Sequence, residues 1–225
     1  MSTITRRVTA AEKRQAERAY EEGLRHLQSW DLEEALKQFR SAARVDALNP
    51  DYPLAVARAL VRGGDYDQAL RAVADYIRVE SDESLSERFE QLFGQALDEV
   101  ETVLTERMTA GGMRLEDIGA AIQMWLEFRI TWGRQPLPLR KPAGWAAALD
   151  YTVRKINGRT VTAREIAAQY GIGESSLRER HQELVDVLDL MPCDYRYFTG
   201  PHNPLDKLVE AAQMLEELEA KFRAA

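Results

Sequence analysis

The chain has 225 residues, with 30 Lys and Arg against 37 Asp and Glu (formal net charge −7), 45% hydrophobic and 30% charged. That mix belongs to a folded globular protein and excludes a collagenous, disordered or disulfide-framework chain. A charge of −7 also argues against a basic coat for indiscriminate nucleic-acid binding. No run of about 18 apolar residues predicts a membrane span. Arg6 and Arg7 lead into no apolar stretch, so no secretory leader is expected, and the lone Cys193 suits a reducing cytoplasm.

In chain order, Ala16, Ala19, Tyr20, Gly23, Leu24 and Leu27 recur at helical spacing and predict a helix over residues 11–28. Asp31 can cap a second helix whose inner face is Leu32, Ala35, Leu36, Phe39, Ala42, Ala43 and Val45. Asn49-Pro50 breaks it. A third helix is predicted over 51–62, ended by Gly63-Gly64, and Asp65 caps a fourth that runs through Val79.

These helices repeat. A shift of 34 residues brings Asp31 onto Asp65, Leu32 onto Tyr66, Ala35 onto Ala69, Leu36 onto Leu70, Phe39 onto Val73 and Val45 onto Val79. The period, the small residues Gly23 and Ala57, the turn pairs Asp31-Leu32 and Asp65-Tyr66, and Ala35, Ala69 and Phe39 resemble the tetratricopeptide repeat over about residues 15–82. The resemblance implies stacked helical hairpins and a groove that takes a peptide from a protein partner. Its lining would come from Tyr20, Leu24, Leu54, Arg58 and Arg62, flanked by Glu17 and Asp51. Tyr20 and Leu24 occupy the first positions of the carboxylate clamp found in chaperone-binding members, so that specialised activity is not expected.

Two repeats need cover. A long amphipathic helix over 84–109 (Leu85, Phe89, Leu92, Phe93, Leu97, Val100, Val103, Leu104) and another over 115–132 are expected to cap them, completing a domain over 10–132. Trp125 and Trp132 read as core or interface residues. Residues 133–142 hold three prolines and read as a connection.

Beyond it, helices are predicted over 143–156, 162–170 and 174–188, within a domain over 143–190. Thr162 and Glu165 form a capping box, Ala167 is small at a helix contact, Gly171 suits a left-handed turn, and Ile172 and Leu177 are apolar anchors. This is a helix-turn-helix pattern. With Pro142, the alanines 146–148, Tyr151 and Leu184, residues 140–187 resemble the second cyclin-like repeat of the general transcription factor TFIIB and its archaeal relatives. Arg180 stands where the bacterial repressor pattern has an apolar residue. The resemblance implies a reading helix in a DNA major groove. The candidate contacts are Ser175, Ser176, Arg178, Arg180 and His181, with Arg164 and Arg159 toward phosphates. Residues 134–184 hold nine basic and five acidic side chains, whereas residues 10–100 hold 12 and 19, so the basic excess lies where a phosphate backbone would need it. The same geometry also serves as a pure packing unit, with Arg178 and Arg180 paired to Glu174 and Glu183.

Residues 191–204 form an aromatic loop, either pinned to the core by Tyr195, Tyr197 and Phe198 or offering a stacking surface. A last helix over 205–225 could join a homodimer or serve as a lid. No metal-ligand cluster, phosphate loop or nucleophile–base spacing appears, so neither a cofactor nor catalysis is expected. The sequence therefore predicts an all-α protein: tetratricopeptide-like repeats followed by a helix-turn-helix module. Its expected role is a non-enzymatic, transcription-related regulator that couples a protein partner to double-stranded DNA. The alternative is an interaction adaptor whose second module is structural.

Overall fold

The computed structural model describes residues 8–94, 97–137, 141–203, 205–207, 210 and 213–215. Its regular elements are helices, with no strand among the described residues: α1 (Ala10–Gln28), α2 (Leu32–Val45), α3 (Asp51–Arg62), α4 (Tyr66–Val79), α5 (Glu83–Glu90), α6 (Glu99–Ala110), α7 (Leu115–Trp132), α8 (Pro142–Ile156), α9 (Ala163–Gln169) and α10 (Glu174–Leu188). The all-α expectation holds. Most of the helix expected over 205–225 lies outside the described residues. No described helix is long and apolar enough to cross a membrane.

The chain divides into two compact units. One comprises Met1–Asp98 with Leu126–Leu137, the other Glu99–Trp125 with Pro138–Ala225. The grouping places α6 and the first part of α7 with the later helices, where the sequence expectation put them with the repeats.

In the first unit, α1 pairs with α2 and α3 with α4. The 34-residue correspondence is visible atom by atom. Asp31 accepts the Glu34 N–H at 3.3 Å and Asp65 accepts the Gln68 N–H at 3.0 Å, each satisfying an orphan donor of the helix it starts. Gly64 takes a left-handed φ of +80°, and Trp30, its counterpart one repeat earlier, takes +62°. Gly23 is required by close approach, since a Cβ there would lie 2.5 Å from Cε1 of Phe39. Phe39 is fully buried, which is worth about 1.5–3 kcal/mol. The predicted continuous helix over 84–109 is broken: α5 passes through one 3₁₀ turn (Gln91–Phe93), and Gly94 leaves helical space at ψ 144°. Glycine costs about 1 kcal/mol inside a helix. Phe93 and Leu97, read from the pattern as inner-face residues, are about half exposed.

In the second unit α6, α9 and α10 pack on α8, whose residues from Gly144 to Val153 are all buried. The run Ala146-Ala147-Ala148 lets neighbours approach on several faces, while Trp145 fills volume against Trp125, ring centroids 5.6 Å apart. The Thr162–Glu165 capping box starts α9, and Gly171 turns the chain into α10 at φ +65°.

Candidate functional site

The predicted peptide groove is filled by the chain itself. Leu54 is 2% exposed, and Leu24 and Tyr20 pack on the same core, with Tyr20 between Phe39 (centroids 5.8 Å) and Tyr52 (5.4 Å). Into this face come Ile130, fully buried, and Leu126. Arg58 Nε donates to the Ile130 carbonyl at 3.4 Å, and burial pushes its guanidinium below the usual value against the pull of Tyr20 and Asp51. Gly133 sits against Leu54 and Arg58 at φ +66°, where any Cβ would overlap the guanidinium. Arg88 donates to the carbonyls of Gln135 (2.6 Å) and Gly133. Arg134 pairs with Glu80 (2.9 Å) and Asp51 (3.3 Å). Burial works to raise the pKa of Glu80, but bonds from the Tyr76 hydroxyl and the Asp82 N–H, with the charge of Arg134, bring it below the usual carboxylate range. Arg62 lies over the Trp30 ring at 4.0 Å. Of the five expected groove residues, Leu54 and Arg58 are thus covered by residues 126–137, Tyr20 and Leu24 pack on the hairpin core, and Arg62 lies over Trp30 in the turn between α1 and α2.

Arg88, Arg134 and Gly133 escaped the sequence reading. The available signal was Arg58, a lone cation on an otherwise apolar face of α3, which had to find carbonyl partners in the same unit.

The helix-turn-helix residues separate into two sets. Ser175, Arg178 and Arg164 are exposed. Arg178 is held by Glu174, four residues earlier, at 2.6 Å. The others are partly covered and lie against neighbours in their own unit. Arg180 lies over the Trp145 ring at 4.8 Å and pairs with Glu183 at 2.5 Å. Ser176 is turned toward Gly144 of α8. His181 packs edge-on against Tyr151, and its Nδ1 lies 2.8 Å from the Thr152 hydroxyl. That hydroxyl donates to the Ala148 carbonyl at 2.6 Å, so Nδ1 carries the proton toward Thr152. Burial, then Lys155 and Arg178, push the His181 pKa down, favouring the neutral ring. Arg159 contacts the fully buried carboxylate of Asp117, which also accepts from Arg114 (2.9 Å) and the Thr199 hydroxyl (2.5 Å). Burial opposes ionisation of Asp117, but these donors hold its pKa below the usual range.

Tyr197 is buried and pins the aromatic loop, with its carbonyl accepting from Asn157 Nδ2 at 3.0 Å. Tyr195 is half exposed and donates to Asp206 at 2.8 Å, so the pinning is done by one of the three expected aromatics and helped by Phe198, which is partly covered. No group of three or more His, Cys, Asp or Glu among the described residues could hold a metal ion.

No protein-family model matches the chain, and no solved structure matches it. Among curated proteins, the Uncharacterized protein YccF of Bacillus subtilis (strain 168) is 32% identical over 92 residues, 40% of this chain and 25% of that protein. The chain thus matches about a quarter of the length of this relative.

Proposed function

We propose that the chain is a non-enzymatic protein-interaction adaptor, with tetratricopeptide-like hairpins as its docking scaffold and a helix-turn-helix unit that serves packing. One observation carries this reading. Arg180, His181 and Arg159, three of the seven candidate DNA contacts, are engaged by their own unit. What α10 leaves outside is Ser175, the Arg178–Glu174 pair, Glu179, Gln182 and Asp186, a face without net positive charge. Phosphate contact needs cations free to displace counterions. Among the described residues of the second unit, α6, α9 and α10 pack on the buried α8, a helical arrangement that supports the resemblance in architecture, and architecture alone carries no function. Cytoplasmic residence fits the single, unpaired Cys193.

The test is titration of the full chain with random-sequence duplex DNA at low and moderate salt. No salt-sensitive binding is expected. Binding that weakens steeply with salt and is lost in Arg164→Glu/Arg178→Glu would replace the adaptor with the DNA-coupled regulator.

A further inference from the structure

The first unit carries a second concavity, on the side of α2 and α4 away from the filled groove. It is a cleft of about 590 Å³ between α2, α3 and α4. Arg40 and Arg44 from α2 and Arg71 and Arg78 from α4 stand around it, with Asp75 as the one acidic lining residue. The floor is apolar and small-featured, including Val56, Leu60 and Ala72. Arg78 pairs with Asp75, and Arg40 donates to Gln68 across the cleft at 3.1 Å. Arg44 and Arg71 are exposed, and neither makes an ion pair with a described residue. Four arginines gathered on one cleft are out of keeping with a segment that holds 12 basic and 19 acidic residues.

We propose that this cleft docks an acidic amphipathic helix of a partner protein, a proposal that rests on the adaptor reading and gives it a surface. The occupant's chemistry follows from the walls. All three walls are helices with their backbone bonds satisfied internally, so an extended peptide finds no edge to pair with. None of the lining side chains is aromatic, so nucleobases find no aromatic ring to stack on. A helix that puts apolar residues at i, i+3, i+4 and i+7 on the floor, flanked by glutamates, meets both the Val56–Leu60 floor and the arginine rim.

The test uses the full chain and an 18-residue helical peptide with leucines on one face and flanking glutamates, its lysine-flanked counterpart, and duplex DNA. The glutamate peptide is expected to bind, more weakly as salt rises, and the lysine peptide not to bind. Arg44→Glu/Arg71→Glu should weaken the glutamate peptide at least about tenfold and Arg44→Gln/Arg71→Gln less, with thermal unfolding unchanged because both side chains are exposed. Absent binding, or binding indifferent to the double reversal, overturns the cleft proposal. Duplex DNA lost with the Arg44/Arg71 pair would make the cleft a nucleic-acid site and also overturns it. Self-association of the wild-type chain abolished by the same pair would name a second copy as the occupant and overturn the partner. Duplex DNA lost only with Arg164 and Arg178 overturns the adaptor reading on which the proposal rests, a result distinct from failure of the cleft.

Discussion

The two units use their arginines in opposite ways. In the helix-turn-helix unit, Arg154, Arg159 and Arg180, all within the basic stretch over 134–184, are held by Asp150, by Asp117 and by Glu183 with the Trp145 face, and Arg196, beyond that stretch, is held by Asp194. In the hairpin unit, where acidic residues outnumber basic ones, Arg58, Arg88 and Arg134 are likewise drawn into the fold, but four others gather around an apolar cleft. A segment's net charge therefore says little about which cations face a partner. Carboxylate neighbours and aromatic faces decide that residue by residue.

The strongest way to break this comparison is to disturb a glycine in each unit. Gly133 and Gly171 share a left-handed φ, +66° and +65°, but Gly133 is packed on Arg58 and Leu54 while Gly171 has open space around it. Gly171→Ala should cost the strain of the left-handed backbone alone, roughly 1–2 kcal/mol. Gly133→Ala must also displace the buried guanidinium, for a total of about 3 kcal/mol or more. Denaturant unfolding of the two variants reads the difference directly, and equal costs would mean that residues 126–137 do not hold the groove. Next in size is Asp117→Asn, which removes the charge shared by Arg114 and Arg159. Both arginines are partly solvated, so about 2 kcal/mol is expected, below the full cost of breaking a buried pair. The folded pKa of Asp117 lies below its unfolded value. Its contribution is therefore present above about pH 4 and lost as pH falls through the folded pKa, and the variant should flatten acid unfolding in that window.

Local signals in the sequence were legible wherever they were covalently close. The 34-residue shift located both aspartate caps, and Thr162, Glu165 and Gly171 located the turn between α9 and α10. What stayed hidden was the direction of long side chains. Arg180 and His181 lie on α10 where helical spacing alone would let them face a groove, but Trp145 and Thr152 of α8, some 30 residues earlier, draw them inward. The filling of the inner groove by residues 126–137 depends on the fold bringing distant segments together, which periodicity does not encode. The broken helix at Gly94 was legible in principle, since the glycine lies inside the stretch read as continuous.

The inward ring of His181 sharpens the comparison through pH. Its folded pKa is below the unfolded value, so the unfolded chain takes up a proton first as pH drops. Stability should be full above about pH 6.5 and fall as pH is lowered toward the folded pKa. Replacing His181 with Gln, which keeps a donor for Thr152, should remove that slope. A slope unchanged in H181Q would mean that the ring is solvated and outward, as a DNA contact requires.

The smallest effect separates the outer face of α10 from its inner one. Arg178 is 62% exposed and bound to Glu174 at 2.6 Å, an i,i+4 pair in water. Such pairs contribute about 0.3–0.5 kcal/mol because solvent screens the attraction and ordering two long side chains offsets it. Arg178→Ala should therefore shift the unfolding midpoint barely beyond error. Arg180→Ala, two residues on, loses the contact with the buried Trp145 ring as well as Glu183 and should cost distinctly more, about 1–2 kcal/mol. Thermal or denaturant unfolding of the two variants side by side checks the order. Equal costs would place both arginines in solvent and return Arg180 to the surface that a nucleic acid could read.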